Sequence, residues 1–157
     1  MPPIDPTHFT QALLALLDET FNQVQGYYLD RGTSLFETLA TITAAEASIP
    51  VGGKCATLAA QVKHVAFYLE VVEKSVLDPN YPKADWGEIW RTVKSVTPAE
   101  WEAIQQELRN NYESIVKLIH ATPAWSGEDE ISNAMAVIIH TAYHLGEIRQ
   151  ALCTLRP

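Results

Sequence analysis

His140-Thr141-Ala142-Tyr143-His144-Leu145-Gly146-Glu147-Ile148-Arg149, near the end of the chain, has the pattern of an amphipathic helix. At about 3.6 residues per turn, positions 140, 144 and 147 share one face. Imidazoles at i and i+4 can converge on one metal ion, as the two histidines do in zinc-protease helices. A bare pair at this spacing also arises by chance in a chain with five histidines, so the reading needs a third ligand and a suitable scaffold.

The helix carrying the pair is expected at 128–155, after Ser126 with Asp129 three residues on. Ile131, Ala134, Ile138, Leu145, Ile148, Leu152 and Leu155 form one apolar seam. Val137, His140, His144, Glu147 and Ala151 form a second stripe beside it. Because Val137 and Ala151 bracket the histidines, that stripe points inward or into a cleft.

Three further long helices lie upstream. The one at 98–120 opens on Thr97-Pro98-Ala99-Glu100, a capping box with proline at the first helical position. Its stripe is Trp101, Ile104, Leu108, Tyr112, Ile115 and Ile119, and His120 at its C-terminus suits a capping or solvated role. The helix at 57–76 carries Leu58, Val62, Val65, Leu69, Val72 and Val76. His64 lies beside that seam, in line with Gln61 and Tyr68. A lone histidine there is usually packed or exposed, although the inner edge of an apolar helix is also where a bundle holds a cofactor. The first helix, 6–26, is capped by Asp5 or Thr7 and carries Phe9, Leu13, Leu16, Leu17, Phe21 and Val24, with His8 facing solvent.

The connections differ in length. Between the first two helices, Thr33 or Ser34 opens a short helix, and Thr43-Ala44-Ala45-Glu46 is a capping box for another turn. Leu77 to Val96 is polar, and Asp78-Pro79-Asn80-Tyr81-Pro82 excludes regular helix. Asp85-Trp86-Gly87-Glu88 suits one short turn, with Trp86 and Trp90 expected to plug the end of a bundle. The pattern predicts an all-α four-helix bundle in a single domain, 1–157. About twenty linking residues can cross a bundle of roughly 30 Å, so the second and third long helices are expected to run parallel, giving up-down-down-up.

A net charge of −8 with no Lys/Arg cluster argues against nucleic acid and against an anionic membrane surface. No apolar run reaches membrane-spanning length and the N-terminus has no signal-peptide pattern, so the cytoplasm is the expected compartment. Cys55 and Cys153 make no disulfide framework. Cys55 precedes a helix, but it is expected to be neither ligand nor nucleophile.

TLAAQVKHVAFYLE followed far downstream by IIHTAYHLGEIRQAL resembles the DinB-like superfamily of small bacterial bundle proteins (the DinB/YfiT type, unrelated to the DNA polymerase of that name). The resemblance covers essentially the whole chain, and the downstream motif is its most specific part. It implies an up-down-down-up four-helix bundle, a homodimer, and one divalent metal held by three histidines. Matched residue by residue, these are His64, His140 and His144.

Three neutral imidazoles suit Zn, Ni, Fe, Cu or Mn and leave coordination positions open, a pattern of catalytic rather than structural sites. Glu147, one turn past His144, is a candidate second-layer acceptor or base, with a salt bridge as the alternative. Tyr68, one turn past His64, is a candidate hydroxyl at the site, with core packing as the alternative. The resemblance implies a small-molecule substrate, with a low-molecular-weight thiol in S-transfer the best named class. Metal-assisted hydrolysis and a non-enzymatic, stress-associated metal-binding bundle are the alternatives.

Overall fold

In the computed structural model, which describes residues 5–125 and 127–156, the polar caps open helices where the sequence places them. The Thr7 N–H donates to Asp5 Oδ1 at 2.8 Å, starting α1 (Pro6–Phe21). Glu37 accepts the Ser34 N–H and Glu46 the Thr43 N–H, starting α2 (Leu35–Leu39) and α3 (Ala44–Ala47). A turn of 3-10 helix, Val51–Gly53, leads to α4 (Leu58–Leu77), capped by Thr57. After α5 (Glu88–Thr92), the Thr97/Glu100 capping box starts α6 (Pro98–Ala121), and α7 spans Glu128–Leu155. The cap expected at Ser126 lies outside the described residues. So do residues 1–4, which begin the N-terminal stretch read for a signal peptide. Among the described residues every regular element is helical, none a strand, and no helix is long and apolar enough to cross a membrane.

α1 ends at Phe21, not near Gly26 as its periodicity predicts. Glu19 is the physical reason. Its carboxylate is fully buried and accepts four backbone N–H groups. Gln25 and Tyr27 donate to Oε2 at 3.0 and 2.8 Å, and Tyr28 and Leu29 to Oε1, both at 2.7 Å. The chain must leave the helix to wrap this carboxylate, and Gly26 makes the bend at φ +93°. Burial alone would raise the acid, but the four donors outweigh it and hold it down at about 2.

Most buried hydrophobic residues form one cluster, drawn from α1, α4, α6 and α7 together with α2 and α3. α4 packs against both α6 and α7, and so does α1. Contacts show the sense of each pair. Lys63 meets Glu107 and Ala66 meets Asn111, while Val72 and Ile119 line one cavity, so contacts advance together along α4 and α6. Gln61 meets His144, Tyr68 meets His140, and Val72 shares that cavity with Val137, so contacts run in opposite senses along α4 and α7. Asn22 reaches Tyr112, and Phe9 packs on Trp125 beyond the end of α6. Phe21, Phe36 and Tyr112 form an aromatic knot, with Phe21 and Tyr112 stacked at 4.6 Å. Each such fully buried side chain stabilises by about 1.5–3 kcal/mol.

Candidate metal centre

α4 and α7 bring His64, His140 and His144 together, with each residue's donor atom within 4.8 Å of the others'. The opposed sense of the two helices sets His64 level with the turn that carries the other two. Ring centroids lie 5.2 Å apart for His64–His140, 4.8 Å for His64–His144 and 4.6 Å for His140–His144. His64 and His144 are 7% and 6% exposed. The stripe running from Val137 through the histidines to Ala151 therefore faces inward, as Val137 and Ala151 require.

Three buried side-chain polar atoms lack a hydrogen-bond partner among the described residues, and two of them are His64 Nδ1 and His140 Nε2. Leaving a buried polar atom unpaired costs about 1–3 kcal/mol. Two such nitrogens beside a third imidazole fit a shared cation, which satisfies both. His144 is oriented from outside the cluster. Its Nδ1 lies 2.7 Å from Gln61 Oε1 and 2.9 Å from Glu147 Oε2. Both partners are acceptors, so Nδ1 carries the proton and Nε2 keeps its lone pair. An acceptor on the far nitrogen fixes a ligand ring and raises its basicity.

Burial, reinforced by the neighbouring imidazoles, lowers His64 and His140 from the ordinary 6.5 to about 4. His144 is lowered as well, burial outweighing the opposing pull of Glu147. All three are thus neutral at pH 7, the form that ligates metal. Three imidazoles make a borderline donor set, suited to a divalent transition ion rather than to calcium or magnesium.

Glu147 lies at the far nitrogen of His144, and Tyr143 bonds it from the solvent side. Tyr68 stacks on the His140 ring at 3.8 Å, 20° from parallel, and burial raises its phenol. His8 and His120 are exposed and Cys55 is an exposed free thiol, all outside the cluster.

Trp86 and Trp90, expected to plug the end of a bundle, stand against the histidine cluster. Ile89 is the buried anchor of α5, which packs on the side of α4. The Trp90 ring lies 4.6 Å from His64, and Trp86, 43% exposed, lies 6.3 Å from it. The Gln61–His144 contact is not legible in the sequence, although Gln61 stands one turn before His64 on the same face. That spacing was the available signal, whereas no periodicity reaches across the linker to Trp90. No protein-family model, curated protein or solved structure matches the chain.

Proposed function

We propose that this protein is a divalent-metal protein of DinB-like architecture, whose three-histidine centre serves S-transfer chemistry on a low-molecular-weight thiol. The observation that carries the reading is the pair of buried, unpartnered nitrogens, His64 Nδ1 and His140 Nε2, beside a third histidine turned toward them by Gln61 and Glu147. The fold part of the proposal is a four-helix bundle of α1, α4, α6 and α7 in up-down-down-up order. It is supported by contacts that advance together along α4 and α6 and oppositely along α4 and α7.

In this reading His64, His140 and His144 hold the ion, which supplies Lewis acidity and favours the thiolate form of a thiol. Gln61 and Glu147 hold the His144 ring and its tautomer. Tyr68 holds His140 by its face. Glu147 suits a supporting acceptor better than a base, because it sits on the far side of the ring from the cluster.

A non-enzymatic metal-binding role is favoured by one observation, that the two unpartnered nitrogens are shielded from solvent. The two readings separate in one experiment. Protein purified without an affinity tag is analysed for metal, loaded with zinc, and assayed with a panel of thiols and electrophiles. Metal-dependent thiol consumption is expected. Bound metal with no turnover across the panel selects the non-enzymatic role.

The homodimer is part of the same proposal. Met135, Ile139 and Tyr143 stand exposed at four-residue steps along α7, an apolar stripe that a second copy can cover. Light scattering at micromolar concentration is expected to give twice the chain mass, and a monomer refutes the dimer.

A further inference from the structure

Trp90 also lines a cavity of about 270 Å³, formed with residues after α5 and in the turn before α4. We propose that it recognises a small organic carboxylate with an apolar body. Trp90, Val93 and Ala60 supply its apolar wall, and Lys54 and Lys94 supply its charge.

The charge pattern carries the assignment. The chain has a net charge of −8, yet no Asp or Glu lines this cavity. Lys63, Lys74, Arg91 and Arg156 each pair with a carboxylate. Among the described residues Lys54 and Lys94 pair with none, as is also true of Arg31, Lys83, Arg109, Lys117 and Arg149, but only Lys54 and Lys94 line one acid-free cavity together. Lys94 is also held in place, because its Nζ donates to the Trp90 carbonyl at 2.9 Å. That bond uses one of its three donors and leaves two for a ligand. The first turn of α4, at Thr57, borders the same space and adds the positive end of its dipole. Two ammonium groups beside an indole match a carboxylate joined to a flat or aliphatic body. The volume is near the small end of ligand pockets, so the occupant is small.

The location gives the site its meaning. Trp90 lines this cavity, and its ring also lies 4.6 Å from the His64 ring. The cavity and the histidine cluster thus share one residue. The carboxylate site stands on its own, whereas its service to the metal centre rests on the function proposed above.

Benzoate, its neutral isostere benzamide, and acetate are the probes, titrated calorimetrically into the full-length protein with and without zinc. Benzoate is expected to bind the metal-free protein at least about tenfold more tightly than either of the others. The double variant Lys54→Gln/Lys94→Gln should reduce the benzoate-to-benzamide ratio to near one, while Lys63→Gln keeps it. Equal binding of benzoate and benzamide removes the carboxylate assignment, and acetate binding as tightly as benzoate removes the apolar half. A double variant with the parent ratio, or no benzoate binding to metal-free protein, overturns the site altogether. Benzoate binding that appears only with zinc and vanishes in His144→Ala is ligation at the metal, and it too overturns the cavity. Loss of zinc binding with benzoate binding intact defeats the functional reading and leaves the anion site standing.

Discussion

Alanine at any one of His64, His140 or His144 is expected to abolish stoichiometric binding of a divalent ion at the proposed centre, whereas His8→Ala and His120→Ala should leave it unchanged. A protein site of this kind binds with a free energy on the order of 10 kcal/mol, so losing one of three ligands weakens it by roughly two orders of magnitude or more. Metal content by mass spectrometry after dialysis is the measurement. Full occupancy in His64→Ala would falsify the three-histidine centre. The same residues predict an acid response of the metal-free protein. His64 and His140 fall from 6.5 to about 4 on folding, through burial first and their neighbours' charges second. Between those values the unfolded chain binds protons that the folded chain does not. Stability therefore falls as pH drops through that window and is flat above it. The melting temperature of metal-free protein should follow this course, with a shallower slope in His64→Ala. Equal slopes in the two proteins would show that this imidazole is not held neutral by the fold.

Glu19→Gln lowers the melting temperature by roughly 5–15 °C, a large effect for a substitution that conserves size. One carboxylate oxygen becomes an NH2 group facing two backbone N–H donors, in a position closed to water. Two buried N–H groups then lose their acceptor, and the remaining pair lose the charge that strengthened their bonds. Amide exchange should quicken first at Gln25, Tyr27, Tyr28 and Leu29, whose N–H groups end on Glu19. The pH signature has a definite sign. Glu19 moves from 4.5 to about 2 on folding, so its contribution is complete above pH 4.5 and is lost as pH falls toward 2. A melting temperature within about 2 °C of the parent at pH 7 would mean that the 22–33 segment is held by its apolar contacts instead.

Where sequence reasoning worked, the signal was local. Thr97-Pro98-Ala99-Glu100 starts α6 because a capping box satisfies donors within one turn, Thr43 acts likewise, and Thr57 caps α4 by accepting the Ala60 N–H. His140 and His144 share an inward face because helical periodicity decides it. Where it fell short, the partner was distant or the geometry irregular. Glu19 reads as an ordinary helix residue, and only the folded loop shows that its carboxylate gathers four amides and cuts the helix short. Val24 continues the apolar period of α1 but lies beyond its end. The contact of Trp86 and Trp90 with His64 is not legible in the sequence, because the course of a proline-rich linker cannot be read from its composition. The Gln61–His144 contact is hidden in the same way, because the two lie 83 residues apart.

The wide separation of the ligands along the chain bears on how the centre assembles. His64 lies in the first half of the sequence and His140 and His144 near its end, on helices separated along the chain by α5 and α6. Closing so long an interval costs conformational entropy before any contact between α4 and α7 repays it. The pair at His140 and His144 forms with its own helix, but the third ligand arrives only when nearly the whole chain has condensed. A divalent ion held at the proposed centre would therefore be a poor seed for this fold and a good latch upon it, because the three histidines come together only in the folded chain.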